Sequence, residues 1–165
     1  KGSNIIPEPE TLGYLADAQQ ALGDTAAAKQ TQQLIFAVER IGNAYQINDR
    51  LLSVYYSEHG VRLDDSYHIA QREVLKRGTE LHAQDTLAWA AAMDGKWDAA
   101  KRAADLAIRY DTQDPRIQFH AGMIDLHFGL KDLARSRLQK ALALNPEFDP
   151  FQADQARAAL AKLQT

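Results

Sequence analysis

Small and apolar residues recur at steps of three and four along most of this chain. Ala100, Ala103, Ala104, Ala107 and Ile108 mark one face of a helix, and Ala134, Leu138, Ala141 and Leu142 mark the corresponding face further on. Strict alternation, the mark of a half-buried strand, is almost missing. The run "QLIFAV", Gln33 to Val38, is apolar enough for a buried strand, but helix formers flank it and nothing breaks the segment from Thr25 to Ile41. It reads as helix. Breaks fall at Gly23-Asp24, Gly42-Asn43, Gly60, Gly78, Asp94-Gly95, Asp114-Pro115, Phe128-Gly129 and Asn145-Pro146, leaving segments of helical-hairpin length. Asp114-Pro115 and Asp149-Pro150 each read as a capping aspartate followed by proline at the first helical position, where the missing N–H costs nothing. The pattern predicts an all-α chain.

The pattern also repeats. "DGKWDAA" at Asp94–Ala100 returns as "FGLKDLA" at Phe128–Ala134, so that Gly95 and Gly129, Asp98 and Asp132, and Ala100 and Ala134 each stand 34 residues apart. Such a period decides architecture before any local motif does. Before each glycine lies another helical segment, in which Leu87-Ala88 aligns with Ala121-Gly122, small enough for two helices to approach closely. A hairpin of two such helices cannot hide both apolar stripes alone. Stacking of successive hairpins is the physical solution.

These residues resemble the tetratricopeptide repeat, with its WxxLGxxY first helix followed by AxxxF and AxxxxP. The match is best in 115–148, where Gly122, Gly129, Ala134, Leu138, Ala141 and Pro146 fall on the pattern and Gln118 takes the tryptophan position. In 81–114, Leu87, Gly95, Ala100 and Ala107 agree, with Ala104 for the large apolar residue and Thr112 for proline. In 9–42, Leu12, Leu15, Ala16, Gly23 and Ala28 agree and Gln32 and Ile35 depart. The weakest copy is 47–80, with Ser66, Ala70 and Gly78 in place but Ser53 and Val54 where leucine and glycine are usual. Four extra residues before it, 43–46, imply a long second helix in the first repeat, running past Glu39 toward Tyr45. The segment 149–165 reads as a solitary capping helix with Ala153, Ala156, Leu160 and Leu163 on one face and Gln152 off it. The resemblance thus implies a right-handed superhelix, an α-solenoid of stacked antiparallel hairpins closed by a C-terminal cap, in one array over 1–165. The wording of the C-terminal half is similar to the end of longer bacterial repeat proteins, some exported. Further repeats upstream are therefore expected, and the compartment stays open between cytoplasm and export.

Composition narrows the chemistry. A 45% hydrophobic content suffices for a core, and the absence of cysteine excludes thiol catalysis, zinc–cysteine sites and disulfides. A formal charge of −3, with basic residues dispersed among acids, offers no attraction for nucleic acid. No apolar run reaches the roughly 18 residues that span a bilayer. There is no GxSxG and no phosphate-cradling glycine loop; Asp64-Asp65 and Glu8 with Glu10 lie where acids favour a helix start. No catalytic role and no cofactor is expected. An all-helical toroidal glycosidase, the rival enzyme class, needs a much longer chain and two opposed acids.

The resemblance implies that first helices line a concave groove, with Asp17 and Glu58 on it beside the principal candidates for peptide or protein binding. Those candidates are Tyr55, His59, His82, Asp85, Trp89, Arg116, Phe119, His120, Met123 and His127. Such an aromatic, histidine-bearing strip suits an extended peptide or an amphipathic helix. The competing expectation is that Trp89 and Phe119 pack between helices. A chaperone-type carboxylate clamp is excluded, because its positions hold Gly13, Asp17, Leu52 and Asp85, with only Arg116 basic. Among the five histidines, His120 and His127 are two turns, about 10 Å, apart on a helix axis, too far to share one ion. His82, Asp85 and His120 form the best metal combination, but a solvated groove histidine is the favoured reading. If His120 adjoins Asp85, low pH strengthens their pairing. Two alternatives to groove binding remain: docking through second-helix residues such as Lys101, Arg102, Asp105 and Arg109, and self-association, including a homodimer, through an N-terminal end bearing Tyr14, Leu15 and Leu22.

Overall fold

Helix formation follows the pattern closely in the computed structural model, which describes residues 9–45 and 49–163. In order, the helices are α1 (Pro9–Ala21), α2 (Thr25–Tyr45), α3 (Asp49–Glu58), α4 (Leu63–Arg77), α5 (Leu81–Met93), α6 (Trp97–Ala107), α7 (Pro115–His127), α8 (Lys131–Leu144) and α9 (Gln152–Lys162). Among the described residues there is no strand, and Gln33 to Val38 lies within α2. Two findings correct the sequence reading. The Gly42-Asn43 break is absent, because α2 continues to Tyr45; one interior glycine costs only about 1 kcal/mol, too little to end a helix by itself. Asp149 does accept hydrogen bonds, from the N–H groups of Phe151 and Gln152 (both 2.9 Å), but Pro150 and Phe151 form a turn and α9 begins only at Gln152.

The recurring glycine phrase is a helix-ending device. At the end of α5, the Gly95 N–H reaches Ala92 O (3.1 Å) and the Lys96 N–H reaches Ala91 O (2.8 Å). At the end of α7, Gly129 and Leu130 bond Leu126 O and Asp125 O (both 3.0 Å) in the same way. These paired bonds need a left-handed residue, and Gly95 and Gly129 have φ of +76° and +72°. Helix starts are set differently. Asp114 Oδ1 accepts from the N–H groups of Arg116 (2.9 Å) and Ile117 (3.3 Å), with Pro115 leading α7 as the sequence indicates. Glu80 caps α5 by accepting from His82 (3.0 Å) and Ala83 (2.8 Å).

The chain divides into two compact units, one ending at Glu73 and the other beginning at Val74. In the first, α1 packs on α2 and α3 around Leu12, Ile35, Leu52, Tyr55, Tyr56 and Ile69. Here α3 meets α4 through hydroxyls: Ser53 Oγ donates to Ser66 O (2.9 Å), Ser66 Oγ donates to Ser53 O (2.8 Å), and Ser57 Oγ lies 2.7 Å from Ser66 Oγ. This buried network explains why Ser53 stands where the repeat pattern has leucine. The polar groups satisfy one another, so burying them carries little penalty.

In the second unit, α5 packs on α6, and α7 packs on α5, α6, α8 and α9. The contact faces are built largely of alanine: Ala100, Ala103, Ala104 and Ala107 on α6, Ala134 and Ala141 on α8, and Ala153, Ala156 and Ala159 on α9 are all buried. Leu138, Phe119, Ile117 and Ile124 supply the bulk. Gly122 is where α7 approaches α8 most tightly, since a Cβ there would lie 3.0 Å from both Cδ2 and Cγ of Leu138. Gln152, expected on the outer face of α9, is buried instead.

Candidate functional site

First helices carry the candidate chemistry in both units. In the first unit, Gly13 lets the Tyr55 ring lie against α1, with Cδ2 3.0 Å from where a Cβ would stand. Tyr55 in turn packs on His59, ring centroids 4.2 Å apart. His59 Nδ1 lies 2.8 Å from Tyr55 O and Nε2 lies 2.9 Å from Asp17 Oδ1. Both partners are acceptors, so the two bonds form together only with both ring nitrogens protonated. Burial, and then the Asp17 charge, push the Tyr55 phenol up. A cleft of about 220 Å³, mouth included, is lined here by Gly13, Asp17, Val54, Tyr55, Glu58 and His59.

In the second unit, Asp85 on α5 and His120 on α7 meet through Oδ1 and Nδ1 at 2.9 Å. His120 is only 3% exposed, and Trp89 stacks on it with centroids 4.3 Å apart and planes 15° from parallel. Phe119, fully buried, packs against Trp89 (5.7 Å) and Phe148 (5.6 Å). It therefore lies between helices, and Trp89 is half-buried against the same cluster. Two buried atoms in this group, Trp89 Nε1 and His120 Nε2, have no hydrogen-bond partner in the protein. Since Nδ1 donates to the Asp85 carboxylate, Nε2 of the neutral ring is an acceptor, whereas the indole N–H can only donate.

The other candidates surround this group less tightly. Met123 packs at the edge of the same cluster, and Arg116 Nη2 lies 3.7 Å from Asp149 Oδ2. His82 is exposed, 4.0 Å from Asp114 Oδ2 rather than joined to Asp85 and His120. Among the described residues no three side chains of metal-ligating type come together. His127 is exposed and stacks on Trp97, centroids 3.5 Å apart and planes 7° from parallel, so the turn tryptophan lies over the next helix. On the second helices, Lys101 binds Asp105 (2.5 Å), and Arg109 binds the carbonyls of Leu106 (2.8 Å) and Thr79 (2.7 Å).

Sequence reasoning missed one polar cluster altogether. Asp125, fully buried on α7, receives Arg137 from α8 and has Lys101 Nζ from α6 at 3.5 Å. Burial pushes its carboxyl up, and Arg137 and Lys101 pull it part of the way back. No spacing in the sequence marks this trio. Its members lie on three helices that only tertiary packing unites.

No protein-family profile matches this chain, and no curated protein matches it in sequence. Among solved structures, it is similar to a thermophilic tetratricopeptide-repeat protein of Thermus thermophilus, with 20% identity over 94% of this chain and 80% of that one and a TM-score of 0.62. That likeness establishes the fold: an all-α helical repeat of the tetratricopeptide type. This architecture in general serves as a scaffold for protein–protein interaction rather than as a catalyst. Among the described residues no helix is long and apolar enough to cross a membrane.

Proposed function

We propose that this chain is a non-catalytic scaffold that holds an extended peptide, or a segment of a partner protein, along the first helices of its repeats. In the second unit the contact residues are His82, Trp89, Arg116, Met123 and His127, supported from behind by Asp85, Phe119 and His120. In the first unit Tyr55 and His59 serve the same purpose beside Asp17. The observation that carries this reading is the pair of buried atoms without partners, Trp89 Nε1 and His120 Nε2. A buried polar atom left unpaired costs about 1–3 kcal/mol, so a ligand that pairs with both recovers that energy on binding. A peptide main chain has the complementary groups: a carbonyl to accept from the indole and an N–H to donate to the imidazole. Rotamer changes at an interface are common, and a modest rotation of Trp89 opens both atoms to such a strand. The surrounding apolar surface of Met123 and Trp89 supplies the anchor typical of binding hot spots.

Peptides selected from a display library against the chain, titrated into isotope-labelled protein, test this directly. The reading expects shifts centred on the Trp89 indole N–H and on the His82, Arg116, Met123 and His127 signals. Shifts confined to the outer faces of α6 and α8, with the indole signal unmoved, would replace it with docking on the second helices.

A further inference from the structure

A surface separate from the proposed peptide site lies on α1. Counting from the leading prolines, Pro9 of α1 and Pro115 of α7, the residues Thr11, Leu15 and Ala18 occupy the positions of Ile117, Ala121 and Ile124. In α7 all three are buried, and α7 packs on the preceding hairpin, α5 and α6. The corresponding Ser53 and Tyr56 of α3 are buried too, and α3 packs on α1 and α2. On α1 itself the stripe is open: Thr11 and Ala18 are exposed, Leu15 is 48% exposed, and Leu22, one further turn along, is 85% exposed. The register of the repeat therefore defines what fits this stripe, namely another amphipathic helix packed against it.

We infer that the occupant is a second copy of this chain, docked α1 against α1 across a two-fold axis. Such an isologous contact places each residue type opposite its own surface, so a charged stripe would repel itself. This one carries no charge from Thr11 through Leu15 and Ala18 to Leu22, and Asp17 is held by His59 in the first unit's cleft. The order of residues suits an antiparallel crossing. Ala18, small, meets its own equivalent at the axis and lets the helices approach, and Leu15 then packs on Leu22 of the partner subunit on either side. Two single helices bury less than a standard interface, so the dimer is weak and concentration-dependent. It is independent of the peptide site, because no residue of the stripe belongs to that site.

Sedimentation velocity from micromolar to millimolar concentration tests the inference. The expected result is a reversible rise from the 18.4 kDa chain mass toward twice that value. In Leu15→Glu/Leu22→Glu, burying uncompensated carboxylates should raise the dissociation constant at least about 100-fold. Circular dichroism should stay unchanged, because both side chains are exposed in the monomer. The chain has no cysteine, so Ala18→Cys gives a single reporter thiol, which should oxidise to a disulfide-linked dimer much faster than the exposed α2 control Gln33→Cys. A monomer at every concentration, a dimer undiminished in the double glutamate variant, or equal cross-linking at Gln33→Cys would each overturn the inference. The first outcome would assign the stripe to a chemically different helix.

Discussion

Replacing Gly122 by alanine separates two meanings of a helical glycine. If Gly122 were merely tolerated inside α7, alanine would stabilise the chain by about 1 kcal/mol through helix propensity. The structure predicts the opposite sign. The new methyl would stand 3.0 Å from Leu138 Cγ and Cδ2 and 3.3 Å from Arg137 Cβ, where ordinary contact begins at 3.4 Å. Leu138 is fully buried and cannot swing clear, so α7 and α8 must part by several tenths of an ångström. Overpacking of this kind costs about 1–3 kcal/mol; set against the propensity gain, the net loss is about 1 kcal/mol, or roughly 2–4 °C in Tm for a chain of this size. Urea denaturation of wild type, Gly122→Ala, Leu138→Ala and the double variant gives the coupling. Leu138→Ala alone should lose about 2–5 kcal/mol, and adding Gly122→Ala to it should then stabilise, because the methyl enters the space the leucine left. A stabilising Gly122→Ala in the wild-type background, or additivity across the cycle, would refute the close approach of α7 and α8.

Three further perturbations have definite signs. Asp114→Ala should cost about 1 kcal/mol in thermal unfolding, because the cap removed serves the N–H groups of Arg116 and Ile117. Burial alone would push the Glu80 carboxyl up, but the His82 and Ala83 N–H groups, with His82 and Arg77 nearby, hold it below the ordinary value. Its stabilisation is therefore full above the ordinary glutamate range and is lost as pH falls through the lowered value; Glu80→Gln should remove that acid-side slope from a stability–pH curve. Asp125 has the contrary sign, since its carboxyl lies above the ordinary range and stability falls as pH rises from the ordinary toward the raised value. Arg137→Met, leaving that buried charge to Lys101, should cost about 3 kcal/mol in urea at neutral pH, with the loss shrinking as the carboxyl is protonated.

Local signals carried most of the fold. The 34-residue echo of Gly95 in Gly129 and the Asp114-Pro115 start act within a few residues of themselves, and both appear as a helix end and a helix start. Signals that compete with tertiary packing carried less: Gly42-Asn43 looked like a stop but lies within a long helix, and the Asp149 cap acts ahead of a helix that starts later. At the candidate site, the adjacency of His120 to Asp85 was legible because both fall on facing first helices in the repeat register. Burial was not. An aromatic at a first-helix position serves equally well as a groove wall or as a wedge between helices, and only the packing of Phe119 against Phe148 places it in the interior. Glu80 was missed as a cap because its type is uncommon in that role.

Trp89→Phe tests the scaffold account most directly, since it keeps an aromatic ring and removes only the indole N–H. Unfolding and peptide affinity should be measured together on this variant, by denaturation and by titration calorimetry with a selected peptide. The account predicts that stability is unchanged or raised, because an unpaired buried donor is gone, while affinity falls about tenfold, the equivalent of one lost hydrogen bond of about 1.4 kcal/mol. Unchanged affinity with a loss of stability would contradict it, and would make Trp89 a packing residue alone.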